Sequence, residues 1–194
     1  MMNVDGNKEK ILNAAEKRML RFGYRKVAMD EIASDLAMSK NTIYKYFQSK
    51  EEIASMLFER LRNRINENQI KIEKTFKNPL DIIKNNIVFL QKELSPWFEN
   101  FLPDIKQELP QLWANFVSYR KEKILEVEEL IKEGIKNGQF RKVNSFIAVK
   151  MFLGAVNEII NPEVLQHESI SFQEALEGLL DIWANGILRN RKDI

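Results

Sequence analysis

Residues 39–53 read SKNTIYKYFQSKEEI. On a wheel of about 100° per residue, Ile43 and Phe47 fall on one side of a short helix and Asn41 and Lys45 nearly opposite, with Thr42 beside them. Tyr44 and Tyr46 lie on the two flanks. Ser39 is a good N-cap for this helix, and Ser49 with Glu52 makes a capping box that opens another. Two apolar residues therefore hold down a face carrying an amide, a hydroxyl and an ammonium between two phenols. Those groups suit a helix lying in a DNA groove, where polar and cationic side chains reach base edges and flanking tyrosines and lysines bond phosphates. Met29–Leu36 reads as a preceding short helix and Leu36-Ala37-Met38-Ser39 as the turn of a helix-turn-helix. Ser39, Lys40, Asn41, Thr42, Tyr44, Lys45 and Tyr46 are the expected contacts to double-stranded DNA. Free backbone N–H groups follow Ser39, and Lys50 lies at the edge of the footprint, within reach of a phosphate. A polar face with two tyrosines also suits plain solvated surface; the helix pair, the tight turn and the charge distribution favour the nucleic acid.

Charge is uneven along the 194 residues. Residues 1–50 hold ten Lys and Arg against six Asp and Glu, while the whole chain carries a net charge of only +2. A basic head on a slightly acidic body fits a head that meets a polyanion. No glycine occurs between Gly23 and Gly134, strand-like alternation is absent, and apolar residues recur at three- and four-residue spacing. The expected fold is all-α. The first helix runs over Asn7–Phe22, with Ile11, Ala15 and Met19 on one face and Gly23 as its stop. Short helices follow at 29–36 and 39–47, then a long fourth helix from Ser49 toward Glu73. Longer helices are expected at 80–94, 110–136, 145–160 and 172–188. Pro96, Pro103 and Pro110 punctuate an aromatic segment, and a loop at 161–171 holds His167. A three-helix DNA-binding domain (1–52) thus joins, through the fourth helix, a larger helical domain (53–194) for effector binding and dimerisation.

The stretch ILNAAEKRMLRFGYRKVAMDEIASDLAMSKNTIYKYFQSKEEI, residues 11–53, resembles the TetR family of one-component transcriptional regulators. Ile11 to Ala15 with Gly23 match its first helix, Asp30 to Ala33 its second, and Ser39 to Glu52 its third helix and the start of its fourth. Ala28 stands where the family often has a Ser or Thr that caps the second helix and touches a phosphate. Ala37 replaces a common turn glycine, and Asn41 a frequent glycine on the groove-facing surface, where an Asn can pair bidentately with adenine. The resemblance implies a ligand-responsive repressor that binds a palindromic operator as a homodimer. It further implies a four-helix interface built from the two C-terminal helices of each chain.

One apolar stripe through Phe146, Leu153 and Ile160 and another through Leu176, Leu180, Trp183 and Ile187 suit that interface, and equally suit an intrachain core. Phe89, Trp97, Phe101, Trp113, Phe116 and Phe152 are the expected lining of a pocket for an unknown small, largely apolar effector; they too suit an ordinary core. The composition excludes several chemistries. With no cysteine and a single histidine, thiolate metal sites, disulfides and paired Glu-x-x-His di-metal sites are out of reach. No Gly-rich phosphate loop or nucleophile triad appears, so neither an enzyme nor a cofactor is expected. The most apolar run, residues 146–156, is broken by Lys150 and too short to span a bilayer, so a cytoplasmic protein is expected. A helical protein-interaction adaptor without specific DNA binding is the alternative.

Overall fold

The computed structural model describes residues 4–160 and 162–188. Every regular element among them is helical: α1 (Val4–Phe22), α2 (Met29–Asp35), α3 (Lys40–Tyr44), α4 (Lys50–Thr75), α5 (Pro79–Pro96), a π-helical turn (Trp97–Phe101), α6 (Leu102–Glu108), α7 (Pro110–Lys136), α8 (Ser145–Ile159), α9 (Pro162–Glu168) and α10 (Phe172–Ile187). The chain divides into two compact units, one holding residues up to Ile65 with Pro96–Val117, the other Asn66–Ser95 with the residues from Ser118 on. The first unit thus contains the expected 1–52 head and, in addition, residues 53–65 and 96–117. No helix among the described residues is long and apolar enough to cross a membrane.

In the first unit, Ile11, Ala15 and Met19 of α1 are closed off from solvent, as their helical spacing predicts, and Leu12 is buried with them. Gly23 ends α1 at φ +87°, its N–H donating to the Met19 carbonyl at 2.9 Å. A Cβ there would lie 2.5 Å from an Asp104 carboxylate oxygen, so both the backbone conformation and the space demand glycine. The same end of α1 is capped from the 96–117 segment. Asn100 Nδ2 donates to the Arg21 carbonyl at 3.2 Å, and Asp104 accepts the Arg25 N–H at 2.9 Å and pairs with its guanidinium at 3.1 Å. On the flank, Arg60 of α4 pairs with Glu9 and Glu16 of α1, and Arg64 with Glu16.

The aromatic segment does not break where its prolines predict. Pro96 and Pro103 have no N–H to donate, and between them the helix widens into a π turn in which the Leu102 N–H reaches back to the Trp97 carbonyl. Trp97 and Phe101, four residues apart, thereby meet edge-on at 5.0 Å. Phe58 of α4 closes on Trp97, Phe101 and Phe116, with ring centroids 5.5, 5.9 and 5.4 Å away.

The residues expected to line a pocket divide between the two units. Trp97, Phe101 and Phe116 fill the core of the first unit, and Trp113 stands half-buried against Phe116 at 5.5 Å. Phe152 belongs to the second unit, where it packs on Trp183 at 5.2 Å, and Phe89 is half-buried on α5. A one-dimensional periodicity marks each ring as inward-facing, but not which interior receives it.

The second unit is built around Ile83, Ile131, Phe140, Ala148, Val149, Trp183, Ala184 and Ile187. The Trp183 indole N–H, buried in this core, donates to the Ala148 carbonyl at 2.8 Å and ties α10 to α8. Gly134 lets the Phe140 ring lie directly on the α7 backbone, where any Cβ would collide with it. His167 lies on α9 rather than in a loop; Pro162 occupies the first helical position, where a missing N–H costs nothing.

Candidate nucleic-acid interface

The helix-turn-helix is set by hydrogen bonds at the turn. At the end of α2 the Ala37 N–H donates to the Ser34 carbonyl at 3.1 Å and the Met38 N–H to the Ala33 carbonyl at 2.9 Å. This is the Schellman closure, and it puts Ala37 in the left-handed region at φ +50°. A residue with a Cβ pays about 1–2 kcal/mol there; the added freedom of an unfolded glycine gives back about 0.5–1 kcal/mol. Ala37→Gly is therefore expected to raise stability by about 0.5–1 kcal/mol, seen as a melting temperature about 2–3 °C higher by circular dichroism.

Ser39 then opens α3. Its Oγ accepts the Thr42 N–H at 3.1 Å and lies 2.8 Å from the Thr42 hydroxyl. Ser39 and Thr42 are thus partly engaged with each other, which fixes the start of the helix. The last turn tightens, with the Tyr46 N–H on the Ile43 carbonyl at 2.9 Å and Phe47 on the same carbonyl at 3.0 Å. Ile43 and Phe47 are 0% exposed and anchor α3 from beneath. Asn41, Tyr44 and Lys45 are exposed, as the wheel predicts, and Tyr46 is half-buried.

Two of the expected cations are already engaged. Lys40 pairs with Asp30 at 2.8 Å, an exposed ion pair whose hydrogen bond raises the lysine pKa. Lys50, expected at the edge of the footprint, is held by its own unit. Its Nζ donates to the Tyr24 carbonyl at 2.9 Å and the Val27 carbonyl at 3.1 Å, and sits 4.1 Å from the centre of the Tyr24 ring. Standing at the first residue of α4, its side chain turns back over the α1–α2 connection. Beside it the Tyr24 hydroxyl donates to Glu51 at 2.9 Å. Burial, then this bond, pushes the Tyr24 phenol up, while hydrogen bonds hold the Glu51 carboxyl down. Lys50→Ala is accordingly expected to cost about 1.5–3 kcal/mol of stability, measured by urea unfolding.

Residues outside the α3 wheel also shape the face. Asn7 Nδ2 donates to the Tyr46 hydroxyl at 3.1 Å and so sets the phenol from α1. Arg18 binds Asp35 and Glu31 and locks α2 onto α1. Ala28 makes half of a capping box: its N–H donates to the Glu31 carboxylate at 2.8 Å, while its methyl offers nothing in return. No sequence signal marks Asn7, because its partner lies 39 residues away.

The expected interface stripes divide between two faces. Ile160, Leu176, Trp183 and Ile187 are buried, and Leu153 and Leu180 pack against the core of their own unit. Only Phe146 of that set is largely exposed. The open apolar face lies elsewhere on the same helices, at Ile147 and Met151 of α8 and Ile182 of α10, which are 53, 67 and 74% exposed. Gly154, Gly178 and Gly186 have open space where a side chain would stand. Both helices are apolar on two sides, of which the core of their own unit covers one.

The family described as "Bacterial regulatory proteins, tetR family" matches residues 11–57. The HTH-type transcriptional regulator YvaF of Bacillus subtilis (strain 168) is 24% identical over 180 residues, covering 89% of this chain and 95% of that protein. The fatty acid metabolism regulator protein of the same organism is 22% identical over 192 residues, covering 91% and 93%. Among solved structures, a transcriptional regulator from Saccharomonospora viridis in complex with choline superposes with a TM-score of 0.76 at 18% identity, covering 96% of this chain and 100% of that one. One from Cytophaga hutchinsonii ATCC 33406 reaches 0.74 at 20% identity, covering 95% and 100%. At these identities the structures speak for the fold alone.

Proposed function

The chain belongs to the TetR family of DNA-binding transcriptional regulators and is not an enzyme, and on that premise we propose that it is a cytoplasmic repressor. In this reading it holds a palindromic operator as a homodimer and releases it on binding a small effector. One observation carries the reading: an exposed α3 face of Asn41, Tyr44 and Lys45, fixed from beneath by Ile43 and Phe47 at zero exposure. Groups of that kind, standing on a rigid base, are what base edges and phosphates require. Asn41 is the base-reading residue, and Tyr44, Lys45 and Tyr46 position the backbone. The open face of α8 and α10 is the surface on which a second copy docks. Two heads about 34–36 Å apart then meet successive major-groove faces.

That relatives include a regulator of fatty acid metabolism and one solved with choline supports a small-molecule signal. The effector must favour one spacing of the heads over another, or nothing shifts. In this proposal α4, which contributes a segment to each unit, carries the movement. The adaptor alternative finds no support in an α3 face left open and polar.

The test is selection of bound duplexes from a random library, followed by anisotropy titrations across a salt series. A palindromic preference with a steep fall in affinity on raising salt is the expected outcome. Weak binding indifferent to salt and sequence refutes DNA recognition, and an Asn41→Gly variant with unchanged base preference refutes the role of Asn41.

A further inference from the structure

The first turns of α1 stand beside the last turn of the α3 segment. Asn7, the fourth residue of α1, donates from Nδ2 to the Tyr46 hydroxyl at 3.1 Å, and the Lys8 ammonium lies 5.7 Å from the centre of the Phe47 ring. This end of α1 is well anchored. Arg60 of α4 holds Glu9 and Asn13, two and six residues beyond Asn7, and Ile11 and Ala15 are closed off from solvent. Asn7 and Tyr46 are both half-buried, so each is still in part open to solvent.

The direction of the Asn7–Tyr46 bond decides what the phenol can do. A phenol has one proton to give and an oxygen that accepts. With the Asn7 amide as donor the oxygen is engaged and the proton is not, and among the described residues Tyr46 has no acceptor for it. A half-buried O–H without a partner in its own chain requires an acceptor outside it. Accepting from an amide also polarises the O–H and strengthens its donation. Tyr44, on the opposite flank of α3, is 42% exposed and makes no hydrogen bond among the described residues. Its ring has to be ordered on binding, whereas that of Tyr46 is ordered beforehand.

We propose that Asn7 is a positioning residue for DNA binding: by donating to the Tyr46 oxygen it turns the phenol's proton outward, onto a phosphate oxygen at the flank of α3. The target is the sugar–phosphate backbone rather than a base edge, because phosphate oxygens only accept and every nucleotide offers them. Asn7 acts through Tyr46. This rests on the reading of α3 as the helix that meets DNA, and it adds to that helix a residue of α1.

The test is a double-mutant cycle in the full chain, read by anisotropy on the selected operator and by thermal unfolding. Tyr46→Phe is expected to weaken binding about 10-fold, the loss of one hydrogen bond to a charged group. The slope of log affinity against log salt is expected to stay unchanged, since a neutral hydroxyl releases no counterion. Asn7→Asp keeps the shape of the side chain and reverses the bond, because a carboxylate only accepts. The phenol then donates inward, and in that background Tyr46→Phe is expected to weaken binding less than about 2-fold. In an Asn7→Ala background the proton stays free, and the same step is expected to keep most of its effect. Stability runs the other way: Asn7→Asp, with a charge-assisted bond, is expected to melt no lower than Asn7→Ala. No effect of Tyr46→Phe, or an equal step in the parent and Asn7→Asp backgrounds, overturns the positioning role while operator binding by the parent upholds the DNA reading. Affinity losses that merely follow the melting temperatures overturn it as well, since a support of the fold behaves that way. A parent that binds no duplex refutes the DNA reading itself, and the proposal with it.

Discussion

Phe101→Ala is expected to destabilise the first unit by about 3–5 kcal/mol and to lower its melting temperature by roughly 10 °C. The side chain is 0% exposed, meets Trp97 edge-on at 5.0 Å and lies 5.9 Å from Phe58. Truncation removes a large buried apolar area and leaves a cavity that the surrounding rings cannot fill without losing their own contacts. Thermal unfolding followed by near-ultraviolet circular dichroism, which reports on the packed aromatics, checks it. The outcome also separates two roles for this residue. A pocket-lining ring would lose effector affinity on truncation while the melting temperature stayed nearly unchanged, and that result would refute its place in the core.

Ile182→Glu, combined with Met151→Glu, is expected to convert the proposed homodimer into monomers at micromolar concentration and to weaken operator binding at least about 100-fold. The two parent residues are 74 and 67% exposed, so neither substitution disturbs the packing of its own chain. In a two-fold interface each carboxylate is buried against apolar surface and close to its own copy, both unfavourable. A monomeric head reads one half-site and loses the contacts of the other. Specific protein–DNA complexes exceed non-specific ones by about 10³–10⁷-fold, so a loss of 100-fold is a modest share of that margin. Sedimentation velocity and anisotropy on the selected operator check both halves. A variant that still sediments as a dimer moves the interface elsewhere; a monomer that keeps full operator affinity refutes the need for pairing.

What could be read from the sequence was local. Gly23 as a stop, Ser39 as a cap, and Ile43 and Phe47 as the buried side of α3 each follow from neighbours within a turn or two, and each is found in the fold. The contacts that spacing does not reveal are those with distant partners. The hold on Lys50 is one, since Tyr24 and Val27, whose carbonyls accept from it, lie more than twenty residues earlier. The packing of Trp97, Phe101 and Phe116 is another, because nothing in their spacing names Phe58 as their neighbour. On α8 and α10 the apolar residues occupy two faces, and a periodicity shows that both exist without saying which the chain covers itself.

The cap that Asn100 places on the end of α1 and the hold of Asp104 on Arg25 just after it, together with the rings that cover Phe58, have a consequence for protein engineering. A chimaera that cuts this reader out after α4 and grafts it onto a foreign sensor would bare an aromatic surface and leave helix-end carbonyls unbonded. Residues 96–117 have to travel with the reader, as a spliced cassette separated by sequence from the part it completes.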